Sequence, residues 1–299
     1  MSVERLGYFG LAVSDPQKWG QFATEVLGLM PTTEDEGALR FRMDDQAWRI
    51  EVKSAKTGDK DDVTFVGFEV SGADGLKALR TRLSDAGVVT SDAGPTLTTA
   101  RGVMDMFTCY DPDGLQVEIY FGRVLRTEIP FVSPKGFSFV TADQGLGHLV
   151  FSTANVGAMR SFYQDLLGFR LSDIIRLPGG DGFVDVEFYH CNPRHHSLAL
   201  VPMAMPNRLH HFMLEVSTLD AVGFARDYVD QAQAPIVLDI GRHTNDQIIS
   251  FYARMPGGLI FELGYGGLKI DDSTWRVMRH EAAHTWGHKG ATTLPMSKS

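Results

Sequence analysis

The chain has 299 residues, of which 43% are hydrophobic, and this is enough for two domains with substantial cores. A formal net charge of -9, without any long basic run, argues against a nucleic-acid partner. No stretch approaches 18 consecutive apolar residues and the N-terminus lacks a signal-peptide pattern, so we expect a folded cytoplasmic protein without membrane contact. The two cysteines, Cys109 and Cys191, form no CxxC motif and are expected to be buried, unreactive thiols.

The first predicted elements are a strand and a helix, and both occur again later in the chain. The segment LGYFGLAVSDPQKWGQFATEVLGL from Leu6 resembles LGHLVFSTANVGAMRSFYQDLLGF from Leu146. VTFVGFEV likewise matches LHHFMLEV, and DPDGLQVEIY matches MPGGLIFELG. Such spacing is typical of an internal duplication. It predicts an N-terminal domain over 1–135 and a C-terminal domain over 136–299 that includes a C-terminal tail.

The helix that follows the first strand has clear end signals. Asp15 and Pro16 supply an N-cap and a first-turn proline, while Gly28, or Gly168 in the second copy, supplies the C-terminal stop. Each half therefore reads as a strand, a helix and then several strands, twice over.

The first strand of each copy has two different faces. One face is apolar and should pack on the helices, because alternate residues share a face; it carries Phe9, Leu11 and Val13, and in the second copy Leu149 and Phe151. The other face changes from Tyr8, Gly10 and Ala12 to His148, Val150 and Ser152. We expect this face to line a cavity inside a curved sheet.

The histidines are confined to the second half: all ten lie at or after position 148. Where the second half has His148, His211 and Glu262, the first has Tyr8, Phe65 and Glu118. Two histidines and a carboxylate with open coordination positions suit non-haem Fe(II). A lone strand histidine is more often structural, so neither His148 nor His211 is persuasive without the other.

The residues themselves leave two ligand choices open. Glu215 lies on the same strand face as His211, and both Glu215 and Glu262 have first-half counterparts, so the repeat does not decide between them. The pair His210-His211 is ambiguous from spacing, although the repeat aligns His211 with His148 and predicts that His210 faces the helices or solvent.

Two further segments concentrate polar groups. In CNPRHHSLAL, His196 is predicted on the strand after a turn at Asn192-Pro193, where the first half has Trp48. The segment GRHTND, Gly241 to Asp246, is predicted to be a loop before the final strand pair and is also consistent with an ordinary turn rich in Asx residues.

The motifs GLGHLV, CNPRHHSLA, LHHFMLEV and GRHTNDQIISFYARMPGGLIFELG closely resemble those of type I extradiol dioxygenases of the vicinal oxygen chelate superfamily, most nearly 2,3-dihydroxybiphenyl 1,2-dioxygenases. The likeness covers nearly the whole chain, with Met255 as a departure from the usual small polar or acidic residue. It implies an α+β fold: two tandem domains, each of two βαβββ modules forming a curved mixed sheet around a cavity with helices outside.

The resemblance also implies residue roles. His148, His211 and Glu262 would ligate Fe(II), which settles the choice against Glu215 and His210; Mn(II) is a credible substitute. The resemblance assigns acid/base chemistry to His196, substrate-oxygen contacts to His243 and Tyr252, and supporting positions to Asn245 and Asp246. The N-terminal domain becomes a metal-free scaffold.

The activity implied is extradiol cleavage of a catechol-type diol such as 2,3-dihydroxybiphenyl with O2, by a homo-oligomer, in the degradation of aromatic compounds. Which catechol fits depends on pocket residues that include Ile174, Ile175, Phe188 and Met203. Two alternatives come from the same superfamily. One is a glyoxalase or epimerase, and the other is a protein that sequesters a small molecule without catalysis.

Overall fold

The computed structural model describes residues 2–32, 37–180 and 182–290 and forms two large mixed sheets. The first sheet comprises β1 Arg5–Val13, β2 Met30–Pro31, β3 Ala38–Arg42, β4 Ile50–Ser54, β5 Asp62–Glu69, β6 Ser91–Asp92, β7 Val103–Tyr110 and β8 Gln116–Arg123. The helices of this half are α1 Pro16–Glu25, α2 Ala73–Asp85 and α3 Pro95–Arg101.

The second half follows the same plan. Its strands are β9 His148–Ser152, β10 Arg170–Gly179, β11 Gly182–His190, β12 Leu198–Val201, β13 Leu209–Val216, β14 Ile236–His243, β15 Ile249–Arg254, β16 Ile260–Tyr265, β17 Met278–His280 and β18 His284–Trp286. Its helices are α4 Val156–Arg160 and α5 Leu219–Gln231, with a 3₁₀ turn at Ala142–Gln144 and a π-helical turn at Ser161–Leu166.

The two sheets repeat one strand order. The first runs β2-β3-β4-β1-β5-β8-β7-β6, and the second contains β11-β12-β9-β13-β16-β15 in the equivalent places. In each, the first strand pairs antiparallel with the strand that starts the second module, β1 with β5 and β9 with β13. The predicted α+β class with repeated modules and curved mixed sheets is confirmed, and the repeat is seen in the strand order itself.

The apolar faces predicted from alternation lie in the core. Phe9, Leu11 and Val13 are buried together with Leu149 and Phe151 in one cluster that also takes in residues of α1 and α5. Aromatic rings from the two halves meet directly, with ring centroids 5.5 Å apart for Phe9 and Phe212 and 5.3 Å for Phe68 and Phe169. The two halves therefore share one continuous core, which fixes one sheet against the other.

The predicted helix ends are confirmed in the first copy. The Asp15 carboxylate accepts a hydrogen bond from the backbone N–H of Lys18 at 3.0 Å, Pro16 is the first helical residue, and Gly28 has a φ of 68°. In the second copy the helix is interrupted, because α4 ends at Arg160 and the chain continues as a π-helical turn. The sequence pattern gave no sign of this change in helical winding.

The end of the described chain closes the second sheet. β17 pairs with β10 at one edge, and β18 pairs with β14 at the other. Only three residues separate His280 from His284, so the two edges lie within about 14 Å of each other, the reach of an extended chain of that length. The sheet is therefore curled into a half-barrel whose opening is crossed by residues 280–284.

Both cysteines are buried and free, as expected, and burial raises the pKa of each thiol to about 12. Among the described residues, no helix has the length and apolar character needed to cross a membrane.

Candidate metal centre

The strand register of the second sheet aligns four inward-facing side chains in one row. His148 of β9 lies opposite Met213 of β13, Met213 lies beside Glu262 of β16, and Glu262 pairs with Tyr252 of β15. His211 lies next to this row, opposite Val150. Because paired residues share a sheet face, the register directs these functional groups to the concave side.

His148, His211 and Glu262, the set that the family resemblance implies, converge. Nε2 of His148 lies 3.4 Å from Nε2 of His211 and 3.2 Å from Oε2 of Glu262. Nε2 of His211 lies 3.5 Å from Oε2 of Glu262. All three residues are buried. The other carboxylate oxygen of Glu262, Oε1, accepts no hydrogen bond of acceptable geometry among the described residues. Three converging donor atoms and an unsatisfied buried oxygen are what a cation would complete.

The charge states of the triad also suit a metal. Burial lowers the pKa of His148, although its contact with Glu262 opposes the shift. Burial alone would raise the pKa of Glu262, but its close contacts with the imidazoles of His148, His211 and His243 hold that pKa well below the usual value. A neutral imidazole and an ionised carboxylate are the forms that ligate metals.

Neither rival residue belongs to this group of three. Glu215 forms an ion pair with Arg194 and accepts a hydrogen bond from the backbone N–H of Gly267 at 3.1 Å. His210 is half-buried, and its Nδ1 lies 2.7 Å from Nδ1 of His211. His210 was predicted to face the helices or solvent, and it is partly exposed.

His196 differs from its prediction in secondary structure but lies beside the triad. It is in the loop two residues before β12, as Trp48 is two residues before β4, so the predicted strand position is wrong. The repeat equivalence nevertheless holds, since Trp48 packs on Tyr8 and the His196 ring stacks on His148 with centroids 4.0 Å apart. Burial, followed by the neighbouring His148 and His195, lowers the pKa of His196 well below its usual value.

His243 and Tyr252 form a second polar pair at the centre. The predicted loop GRHTND begins later than expected, because β14 continues through His243. Nε2 of His243 lies 2.7 Å from the Tyr252 hydroxyl and 3.3 Å from Oε1 of Glu262, and its Nδ1–H donates to the carbonyl oxygen of Ala283 at 2.9 Å. Burial opposes protonation, but Glu262 raises the pKa of His243 to about 9.

Asn245 and Asp246 lie in the turn after β14 and are both buried. Nδ2 of Asn245 has no hydrogen-bond partner among the described residues, while Asp246 accepts from the backbone N–H of Ile248 at 3.0 Å. The second Asp246 oxygen, Oδ2, lies 3.8 Å from Nδ1 of His196. Asp246 therefore approaches the centre without touching the three candidate ligands.

The apolar residues beside the centre come from β9, β11 and β12. Phe188 contacts His196 edge-to-face, with centroids 4.9 Å apart, and packs on a cluster of Val150, Val186, Ala199 and Val201. Ile175 pairs with Val186 and shares its face, whereas Ile174 pairs with Glu187 on the opposite face. Met203 is 48% exposed beyond the end of β12. Of the four pocket candidates, Phe188 and Ile175 share this face.

The equivalent place in the first half is filled by its own side chains. Tyr8 donates a hydrogen bond to Glu118 at 2.8 Å, and its ring lies where a Cβ on Gly67 would come within 2.3 Å. The Arg101 guanidinium binds both Glu118 oxygens, at 2.7 and 2.8 Å, and lies 3.8 Å from the centre of the Phe65 ring. A cationic side chain thus neutralises the carboxylate that corresponds to Glu262.

The Arg101–Glu118 pair leads to a stability prediction. Arg101→Ala should lower the free energy of unfolding by about 3 kcal/mol, because Glu118 would remain fully buried without its charge partner. Urea unfolding measures the change. The matched control is Arg80→Ala, which breaks the exposed ion pair with Asp92 and should cost less than about 1 kcal/mol. Equal losses in the two variants would contradict this account of the first-half site.

Three residues around the centre, His195, Asp173 and Ala283, had no distinguishing signal in the sequence. His195, His196 and Asp246 form a second group of mutually close ligand-type atoms among the described residues. Asp173 on β10 contacts His195, and Ala283 from the chain end contacts His243. These contacts depend on the curl of the sheet and on the path of the chain end, which local residue patterns do not encode.

Comparison with known proteins gives matches along nearly the whole chain. Residues 6–54 match the model of the dihydroxybiphenyl dioxygenase BphC D1 domain, and residues 145–263 match that of the glyoxalase/bleomycin resistance protein/dioxygenase superfamily. A biphenyl-2,3-diol 1,2-dioxygenase of Metapseudomonas furukawaii is 46% identical, with 97% of this chain and 94% of the relative aligned.

Two further matches extend this similarity. An iron-dependent extradiol dioxygenase of Rhodococcus jostii is 37% identical, with 96% of this chain and 97% of the relative aligned. The crystal structure of BphC, a halotolerant catechol dioxygenase, superposes with a TM-score of 0.89 at 34% identity and covers 97% of this chain and 95% of its own. The similarity thus extends across both halves of the chain.

Proposed function

Because this chain belongs to the type I extradiol dioxygenases of the vicinal oxygen chelate superfamily, we propose that it uses Fe(II) held by His148, His211 and Glu262 to cleave a 2,3-dihydroxybiphenyl-like diol. The observation that carries the proposal is the convergence of the three ligand atoms, which all lie within 4.8 Å of one another. Mn(II) accepts the same donor set. The reaction adds both atoms of O2 to the diol and breaks the ring bond beside the two hydroxyls.

The three candidate ligands come from β9, β13 and β16 and would hold the metal on the concave face of the sheet. When bound, Fe(II) offers open positions that bring the diol and O2 together and acts as a Lewis acid toward the diol oxygens. Three protein ligands leave such positions free, whereas a fourth would begin to close the site. Glu215 is held by Arg194, and His210 lies outside the group of three close ligand atoms.

The polar side chains around the triad have distinct tasks in this proposal. Tyr252 and His243, joined at 2.7 Å, hydrogen-bond the diol oxygens. His196, stacked on His148 and kept neutral by burial, accepts the proton that a diol hydroxyl loses on binding and returns it to an oxygen atom as the ring opens. Asn245 and Asp246 support the turn that follows β14.

The apolar cluster beside His196 supports a diol that carries a hydrophobic substituent. Val150, Val186, Ala199 and Val201 form a continuous apolar surface with Phe188 at its edge. Burying a second aromatic ring there would gain roughly 25 cal/mol for each Å² removed from water. We therefore propose that a biaryl diol is preferred over a diol with a small substituent.

Oxygen uptake with a panel of diols tests the proposal. We expect 2,3-dihydroxybiphenyl to give a yellow ring-opened product with one O2 consumed per diol, and a kcat/KM about tenfold or more above that of 3-methylcatechol. Val186→Asp, which introduces a carboxylate into the apolar cluster, should reduce that preference. One sample of the enzyme is loaded with iron and a second with Mn(II). If neither sample consumes O2 with any diol, the result would overturn ring cleavage and favour an isomerase or a sequestering protein.

We also propose that the enzyme acts in the cytoplasm as a homo-oligomer. Two free cysteines, both buried, are compatible with a reducing compartment. Sedimentation of the purified protein gives the assembly directly, and a mass equal to one 33.0 kDa chain would contradict the oligomer.

A further inference from the structure

Two buried residues behind His196 belong to neither the candidate ligands nor the groups expected to touch substrate. Nε2 of His195 lies 2.9 Å from Oδ2 of Asp173, and Nδ1 of His195 lies 3.1 Å from Nδ1 of His196. Asp173 and His195 are each 1% exposed. The three side chains form a continuous hydrogen-bonded chain that begins on β10 and ends at the centre.

The chemistry of the groups sets the direction of these hydrogen bonds. A carboxylate only accepts, so the Asp173–His195 contact requires a proton on Nε2 of His195. Nδ1 of a neutral His195 then carries a lone pair, and the Nδ1–H of His196 must donate to it. Nε2 of His196 is left unprotonated, and among the described residues it makes no hydrogen bond.

Further contacts hold Asp173 and His195 in place, at the end of the hydrogen-bonded series away from His196. Oδ1 of Asp173 accepts a hydrogen bond from the backbone N–H of Met278 at 2.8 Å, and Oδ2 lies 3.4 Å from Nε2 of His280. The Trp275 ring meets His195 edge-to-face, with centroids 5.5 Å apart, while its own Nε1–H donates to the carbonyl oxygen of Ser172. The carboxylate and the first imidazole therefore have little freedom to turn.

We propose that Asp173 and His195 are positioning residues that fix the ring orientation and the Nδ1-protonated tautomer of His196, so that Nε2 is presented to the reacting diol and oxygen. This inference rests on the proposed function, because it assigns His196 its task in ring cleavage. The role resembles that of any carboxylate that orients an imidazole through its second nitrogen.

The pair of His190, on β11, and Asp272, in the segment after β16, provides a control. Nε2 of His190 lies 3.0 Å from Oδ1 of Asp272, but Nδ1 of His190 contacts the Ser172 hydroxyl rather than another histidine. Asp272→Asn therefore removes a carboxylate that binds a histidine other than His195 and His196; the Asp272 side chain is 49% exposed, whereas that of Asp173 is 2% exposed.

The test measures iron content, KM and kcat with 2,3-dihydroxybiphenyl in the intact iron-loaded enzyme. Asp173→Asn and His195→Gln should each lower kcat about 10- to 100-fold with iron content and KM retained. His195→Asn, whose amide oxygen can replace the Nδ1 lone pair facing His196, should recover part of the loss. Asp272→Asn should stay within about twofold of wild type.

A double-mutant cycle separates positioning from general damage. Asp173→Asn added to His196→Gln should cause no further fall in kcat, since the group being positioned is already absent. Should Asp173→Asn lose iron or fail to fold, the comparison of His195→Gln with His195→Asn decides instead.

Three results would each overturn the inference while leaving ring cleavage intact. The first is a wild-type kcat in Asp173→Asn and His195→Gln, and the second is an equal loss of kcat in His195→Gln and His195→Asn. The third is a further loss of kcat when Asp173→Asn is added to His196→Gln. A wild-type enzyme that consumes no O2 with the diol would overturn the proposed function itself, and the inference with it.

Discussion

His211→Ala should abolish ring cleavage. The variant removes one of three donor atoms that lie 3.2 to 3.5 Å apart, and Glu215, the carboxylate on the same strand, is already paired with Arg194. Loss of a residue that merely supports a ligand costs about 10- to 100-fold, so loss of a ligand should reduce kcat/KM by more than about 100-fold. Oxygen uptake and iron content are measured on the same sample.

The matched control for His211→Ala is His284→Ala. His284 is an exposed histidine of β18, so its removal should leave iron content and turnover unchanged. If His211→Ala kept one iron per chain and the wild-type rate, His211 would have no place in the metal centre.

His196→Gln should have the second largest effect on ring cleavage. It should lower kcat without removing the metal. The triad is intact in this variant, so iron and diol should still bind, whereas kcat should fall about 10²- to 10⁴-fold because no positioned group transfers a proton to the ring-opening oxygen atoms. Steady-state kinetics at varied concentrations of diol and O2 separates the effect on kcat from the effect on KM.

The corresponding control is Phe188→Leu. Phe188 meets the edge of His196 without carrying a proton, so this variant should change KM for the biaryl diol more than kcat. A loss of iron in His196→Gln, or an unchanged kcat, would remove His196 from the proton-transfer role.

The repeat made much of the fold and of the triad predictable. Alternation placed Phe9 in the core and His148 on the concave face, and the equivalence of Tyr8 with His148 singled out the positions at which a metal could be held. Those inferences use a period of two and a duplication, which are both visible in residue order.

Other features depended on departures from that regularity. The register shifts between Leu209 and His211, so the alternation of β13 could not say which histidine of the pair faces inward. Glu215 shares the concave face with Glu262 but is neutralised by Arg194, which reaches it from a loop. The periodicity of strand residues does not predict which carboxylate an arginine in a loop will contact.

The positions of the residues after β16 were the largest part of the fold that the sequence did not predict. Residues after β16 reach both edges of the curled sheet, where Met278 binds Asp173 and Ala283 binds His243. The short strands β17 and β18 have three residues each, too few for a periodic signal. Their location follows from closure of the sheet, which is a tertiary property.

Anomalous diffraction at the iron edge, from crystals of anaerobically loaded enzyme, tests the central claim most directly. The account predicts one iron per chain, bonded to Nε2 of His148, Nε2 of His211 and a carboxylate oxygen of Glu262. An iron peak at the neighbouring group of His195, His196 and Asp246, or none within bonding distance of the triad, would contradict it.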